Sequence, residues 1–271
     1  RRASEHNLTD RLALTGPRDE LKELADTFDG MLDRLNAAFA SQKRFVANAS
    51  HELRTPLTVM RTAIDVTLAK PNHSPAQLET MAVEVRSAVD RAEKLIDALL
   101  TLARSDRGVA GTEFVDLATA AEDAVEAAGT ELAAAGIAVD IALHPAELHG
   151  DRVLLERMVA NLVQNAARHN VPGGWLRLQT GQRDGRVWLV IANGGAPLAS
   201  DVVPTLFEPF CRLAERVDWE HGVGLGLSIV RSVVTSHGGQ VRGAPLPEGG
   251  LEITVTLPTA IRPAPVGALA R

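Results

Sequence analysis

Lysine is scarce in this chain of 271 residues: only Lys22, Lys43, Lys70 and Lys94 occur, and every other base is arginine. A phosphate site beyond residue 94 must therefore rely on arginine, backbone amides or a metal. Cysteine is scarcer still. Cys211 stands alone, which excludes a disulfide framework or a cysteine metal cluster within one chain. No apolar run approaches the ~18 residues of a membrane-spanning helix, and no signal peptide is visible at Arg1. Positive charge is not in excess. The formal net charge of -6 argues against a nucleic-acid partner. The opening RRASEHNLTDRL reads as a cut through a larger protein. What is present is an ordinary core-forming composition, 45% hydrophobic and 23% charged, in a length that suits about two domains.

From Leu21 the apolar residues step by three and four through Leu24, Phe28, Met31, Leu35 and Ala38, and Phe45 and Ala49 keep the phase. This is a heptad seam of a coiled coil or helical bundle. It runs to about Ala69, where KPNHSPAQ breaks it. Ser74, Pro75 and Gln77 then read as an N-cap, a first-turn proline and a capping box. A second seam follows through Leu78, Met81, Val85, Ala88, Ala92, Leu95, Leu99 and Leu102. Two long helices joined by a short loop form a hairpin. One hairpin buries two seams poorly, so two copies are expected to make a four-helix bundle, a homodimer.

SDRGVAGTE reads as a linker, and after it the grammar changes. A short strand, a helix and a strand come first, then an amphipathic helix over DRVLLERMVANLVQNAARHN. Two strands turn about Asp184-Gly185. A helix ends at glycine in LGLSIVRSVVTSHGG, and GLEITVTLP is a last strand. The mix predicts an α+β sandwich, one sheet covered by helices. The tail TAIRPAPVGALAR reads as unstructured.

Four stretches carry candidate chemistry. FVANASHELRTPLT places His51, Glu52, Arg54 and Pro56 within six positions of a helix, where a solvated face with a tolerated kink is the plain alternative. GVGLGLS puts Gly222, Gly224 and Gly226 at alternate positions before a helix, an arrangement that lets backbone amides approach phosphate. Alone it is equally compatible with a packing turn. Asn161 and Asn165 share a helix face, with Arg168 three residues on. An asparagine oxygen suits Mg²⁺, but a polar outer face explains the pair as well. VIANGGAPL ends a strand in Asn193, with Gly195 beyond it. By itself it reads first as an ordinary turn. Between LFEPFCR and Gly222 runs a polar loop, a usual place for a lid.

Together these stretches resemble the sensor histidine kinases of bacterial two-component systems. SHELRTPL resembles the H box, NLVQNAARH the N box, NGGAPL a variant G1 box, LFEPF the F box and GVGLGLS the G2 box. They appear in the family's order over about residues 37 to 258. The resemblance implies a multidomain chain. Residues 1–40 would be a partial HAMP or signal-relay coiled coil, and 41–107 the dimerisation and histidine phosphotransfer hairpin. Residues 112–258 would be the catalytic ATP-binding domain of Bergerat (GHKL) type, and 259–271 a disordered tail. It also implies roles. His51 would be the phosphoacceptor, Glu52 its activating base, and Thr55 a positioner of water in dephosphorylation. Asn165 would hold Mg²⁺, with Asn161 and Arg168 on the phosphate side. Asn193 and Gly195 would contact adenine. Arg212 would join the nucleotide-binding set, and Gly222, Gly224 and Gly226 would form the lid hinge. Implied ligands and partners are ATP, Mg²⁺, a second copy of the chain and the receiver domain of a response regulator. The implied place is the cytoplasmic portion of a membrane protein, reached through an N-terminal sensor region outside this sequence.

The chemistry of the residues agrees with these roles. A neutral imidazole is a good nucleophile near neutral pH, and an adjacent carboxylate raises its basicity. Pro56 has no N–H, so the carbonyl of Glu52, beside the nucleophile, loses its helical partner. If the seam continues in phase, Glu52 falls on it, so a phase slip is expected near Pro56. Two departures stand out. Asn193 occupies the place of the family's G1 aspartate, and Pro197 that of its second glycine. An amide carries both a donor and an acceptor, so weaker ATP binding and looser base selectivity are expected. A dimeric pseudokinase scaffold is favoured only by these two residues. A gyrase-like Bergerat ATPase would have no use for SHELRTP on a dimer helix.

Overall fold

In the computed structural model, residues 20–70, 72, 74–106, 108–109, 111–211 and 223–259 are described. The chain divides into two compact units, residues 1–89 and 90–271. The expected relay segment before residue 20, Arg212, Gly222 with the loop between them, and the tail from residue 260 lie outside the described residues.

The first unit is built on helix α1 (Glu20–Leu68) and the opening turns of α2 (Pro75–Asp106). The capping box forms as the sequence predicts. The Gln77 N–H donates to Ser74 Oγ at 3.3 Å, and the Ser74 N–H donates to Gln77 Oε1 at 3.1 Å. Along α1 the less exposed stripe runs through Phe45, Ala49, Glu52, Pro56, Met60, Ala63 and Thr67, always in steps of three and four. The expected phase slip therefore does not occur. Pro56 sits inside the helix with its apolar ring buried on this stripe. The missing N–H interrupts one rung of the ladder, and the helix resumes at the next turn. Glu52 lies half-buried on the stripe, while His51 points off it and is exposed. The apolar positions Leu21, Leu24, Phe28, Met31 and Leu35 are exposed in the single chain. No described helix is long and apolar enough to cross a membrane.

The second unit takes in the rest of α2, where Leu95, Ala98 and Leu102 are buried. It continues through β1 (Glu113–Asp116), α3 (Leu117–Ala134), β2 (Ala138–Leu143), β3 (Glu147–Gly150) and α4 (Arg152–Arg168). Then come β4 (Trp175–Arg183), β5 (Arg186–Asn193), a 3₁₀ turn (Val203–Phe207), α5 (Gly226–Ser236), β6 (Gln240–Pro245) and β7 (Leu251–Pro258). Five strands form one sheet in the order β2-β4-β5-β7-β6, and β1 pairs with β3 in a separate ribbon. Only β2 and β4 run parallel within the sheet.

Alternation decides which face is covered. Leu176 and Leu178 of β4, Val187, Leu189 and Ile191 of β5, and Ile253, Val255 and Leu257 of β7 are buried on one face. The helices pack there in the order α3, α4, α5, with α4 against β5 and α5 against β6 and β7. They contribute Leu155, Met158, Leu162, Ile229 and Val233 to the core. Asn193 ends β5 on the same face by the same parity. Local chemistry sets the boundaries. Asp151 caps α4 by accepting from the Leu154 N–H, and Asp116 caps α3 by accepting from Ala118. Asp184 and Gly185 turn the β4–β5 hairpin, both at positive φ. Gly238 and Gly239 close α5 with bonds to Thr235 O and Val234 O.

Candidate active site

The first cluster lies on α1. The His51 side chain is exposed, next to the half-buried Glu52. Thr55, one turn on, donates from Oγ1 to the His51 carbonyl at 3.2 Å. That bond uses the hydroxyl's proton and leaves its oxygen free to accept, beside the imidazole. An open groove of about 760 Å³ starts at these residues. His51, Thr55, Thr58 and Thr62 of α1 and Gln77 and Thr80 of α2 are among those lining it. The exposed His51 stands at the rim of this groove, whose lining is mostly apolar, with Val59, Val66 and Met81 beside the threonines.

The second cluster lies in the sandwich. Asn161 and Asn165 occupy one face of α4, both half-buried. Asn161 turns its Nδ2 to the Arg157 carbonyl at 2.8 Å. Its Oδ1 lies only 3.4 Å from where a Cβ on Gly226 would sit, so the start of α5 closes on this face. The Asn165 amide is left without a side-chain hydrogen bond among the described residues. Arg168 is exposed in the last turn of α4. Among the described residues no group of three His, Cys, Asp or Glu side chains is placed to hold a metal. A cation here would depend on one amide oxygen and on the phosphates it accompanies, which suits Mg²⁺ and its few protein ligands.

Asn193 is 5% exposed. Its Nδ2 donates to the Gly194 carbonyl at 2.8 Å. The donor half of the amide is thus spent within the chain, and Oδ1 remains as the acceptor. The loop beyond it is wedged between two backbones. A Cβ on Gly195 would meet the His169 carbonyl at 2.9 Å and the Gly250 Cα at 3.3 Å. A Cβ on Gly250, which has φ +101°, would overlap the Asn193 carbonyl. Gly249 and Gly250 were not among the residues singled out by motif. Their signal was the glycine pair before the last strand, but their neighbour is more than fifty residues earlier in the chain. Asn170 was also missed. Its Nδ2 holds the Trp175 carbonyl at 2.9 Å, which also accepts from the Gly194 N–H. Pro197 is exposed. Gly224 has φ +74°, a Cβ on it would meet the Cys211 carbonyl at 2.9 Å, and its own carbonyl accepts from the Phe210 N–H at 2.8 Å. The His51 cluster belongs to the first unit, and the clusters around Asn165 and Asn193 to the second.

Residues 41–108 match the His Kinase A (phospho-acceptor) domain family. Residues 150–261 match the family described as histidine kinase-, DNA gyrase B- and HSP90-like ATPase. The solved structure of a mycobacterial sensor histidine kinase, MprB, is 30% identical, with a TM-score of 0.50; the match covers 55% of this chain and 100% of that one. The chain belongs to the sensor histidine kinases. Among curated relatives of this histidine kinase, sensor protein CutS of Streptomyces coelicolor is 47% identical over 254 residues, 93% of this chain and 61% of that protein. The histidine-protein kinase/phosphatase MprB of Mycolicibacterium vanbaalenii is 34% identical over 259 residues, 92% of this chain and 52% of that protein. The kinase chain thus spans between about half and three fifths of the length of these relatives.

Proposed function

We propose that the chain moves the γ-phosphoryl group of ATP onto His51, passes it to an aspartate of a response regulator, and also promotes loss of phosphate from that regulator. The observation that carries this reading is an exposed His51, followed by Glu52, on a helix of the phospho-acceptor family in the same chain as an ATPase-family sandwich. Residues 41–107 would supply the acceptor and the dimer, and residues 112–258 the nucleotide. The exposed seam of Leu21, Leu24, Phe28, Met31 and Leu35 supports a homodimer, because a second copy is the partner whose seam repeats in the same phase. Glu52 accepts a proton from one imidazole nitrogen while the other attacks phosphorus, and the phosphoryl leaves ADP. Asn165 would hold Mg²⁺, which would supply charge neutralisation on the phosphates. Asn161 and Arg168 face the same side. Asn193 Oδ1 accepts from the adenine amino group, and Gly195 lets the base come close. The groove beside His51 receives the receiver domain. The test is labelling with γ-labelled ATP and Mg²⁺, followed by addition of a receiver domain with an acceptor aspartate. Label should enter the chain and then leave it for the receiver. A chain that takes no label would overturn the reading.

Thr55 separates two activities. Thr55→Ala should leave autophosphorylation nearly unchanged and slow dephosphorylation of the regulator by about tenfold or more, the scale of one lost positioning contact. The two rates are followed separately, and a parallel fall in both would show Thr55 to be structural.

Asn193 sets base selection. The looser base selectivity expected from the sequence needed a free amide donor; with Nδ2 held by Gly194, only the acceptor faces a base, so a 6-amino purine is favoured over a 6-oxo purine. Asn193→Ala should weaken an ATP analogue by about 1 kcal/mol, roughly fivefold, and leave a GTP analogue nearly unchanged. Calorimetric titration decides it. Equal losses for both nucleotides would mean that Asn193 shapes the loop rather than reads the base.

A further inference from the structure

The end of α2 carries two polar residues just after its apolar seam, Arg104 and Ser105, and both are engaged. Arg104 directs Nε and Nη2 at one oxygen of Asp151, at 3.1 and 2.7 Å. Asp151 is 7% exposed, and its other oxygen caps α4 through the Leu154 N–H. Ser105 is 2% exposed and shares a 2.6 Å hydrogen bond with Ser232 in the middle of α5. Its Oγ also lies 2.9 Å from the Leu102 carbonyl. One turn of helix therefore grips α4 at its N-cap and α5 at its centre.

A third contact closes the set. His237, fully buried at the end of α5, accepts the Asp151 N–H on Nε2 at 3.1 Å, and its Nδ1 meets the Val233 carbonyl at 2.8 Å. Burial holds its pKa below the usual 6.5, so the ring is neutral and free to accept on Nε2. The start of α4 and the end of α5 are thus tied to each other as well as to α2. These two helices carry the residues assigned above to the phosphate side of the nucleotide. α4 holds Asn161 and Asn165, α5 begins at Gly226, and Asn161 abuts Gly226.

We infer that Arg104 and Ser105 are positioning residues: they clasp the end of α2 to the two nucleotide-bearing helices and so bias the balance between phosphorylation of His51 and dephosphorylation of the regulator. The inference rests on the kinase reading above. Its physical basis is that one fixed placement of α4 and α5 on α2 cannot serve both activities equally. Autophosphorylation needs the γ-phosphate brought to His51, and dephosphorylation needs the His51 groove given over to the receiver. A clasp formed in one placement and not in the other shifts that equilibrium by its own strength. Neither residue is among those the kinase reading assigns to nucleotide binding or phosphoryl transfer.

The test uses the full chain with two variants that break the clasp from opposite sides, Arg104→Ala on α2 and Ser232→Ala on α5. Both should move the ratio of autophosphorylation rate at saturating ATP to phosphatase rate by about fivefold or more, in the same direction. The affinity for an ATP analogue should stay unchanged. Arg104→Lys, which keeps the charge but not the two-pronged geometry, should fall between native and Arg104→Ala. Hydrogen exchange of amides in residues 102–106 and 149–152 should quicken in Arg104→Ala. A ratio that does not move, or one that moves only as nucleotide affinity falls, would overturn the inference and leave the contacts merely structural. A native chain that takes no label would overturn the kinase reading and this inference together, whereas native labelling with an unmoved ratio would overturn this inference alone.

Discussion

His51→Gln is expected to abolish phosphorylation of the chain while leaving its nucleotide affinity intact. Glutamine approximates the size and polarity of histidine, but its amide nitrogen has no lone pair available for attack on phosphorus. His51 is exposed, so the exchange leaves no cavity and no buried polar group stranded. The effect on stability should stay within about 0.5 kcal/mol. The residues proposed to bind nucleotide belong to the other unit and are untouched. Label incorporation and calorimetric titration with a non-hydrolysable ATP analogue measure the two properties side by side. Full-strength labelling in His51→Gln would remove His51 as the acceptor.

Asn165→Ala is expected to cost nearly as much, by a different route. Alanine is the better helix former, and Asn165 is only half-buried with no side-chain hydrogen bond among the described residues. The fold should therefore hold. What is lost is the amide oxygen proposed to hold the cation, and with it the charge neutralisation that cation would supply to the transferring phosphate. Autophosphorylation should fall about 10²-fold or more, the scale of removing one preorganised stabiliser of developing charge. The distinguishing measurement is the affinity for an ATP analogue with Mg²⁺ and with a chelator. The native chain should bind more tightly with Mg²⁺, and Asn165→Ala should bind alike in both. Full Mg²⁺ dependence in the variant would place the cation elsewhere.

The features that sequence revealed best are those set by neighbours along the chain. Ser74 and Gln77 form their box because a cap needs only three residues of spacing. Asp184-Gly185 turns its hairpin because a two-residue turn asks for positive φ at both positions. The seam of α2 is buried or half-buried at all its positions except Leu78, because a 3.6-residue period is a local property. The phase slip expected near Pro56 rested on a carboxylate, Glu52, falling on an apolar seam; the stripe takes in both the half-buried Glu52 and the ring of Pro56. Strand β3 escaped notice because four residues of ELHG carry no period, and its partner β1 is over thirty residues away. The orientation of the Asn193 amide was equally illegible. It depends on where the Gly194 carbonyl turns, and that in turn depends on the approach of Gly250. The contact of Arg104 with Asp151 spans a separation of 47 residues, so no motif could announce it.

The central claim is that phosphate travels from ATP to the imidazole of His51, and peptide mapping of the labelled chain tests it most directly. Trypsin cuts after Arg44 and Arg54 and releases residues 45–54, FVANASHELR, in which His51 is the only histidine and Ser50 the only hydroxyl. After incubation with γ-labelled ATP and Mg²⁺, the label should reside on this peptide, survive alkali and be lost in acid, as a phosphoramidate is. Label that survives acid on this peptide would mark Ser50, and label on any other peptide would mark another acceptor. Either result would contradict the account.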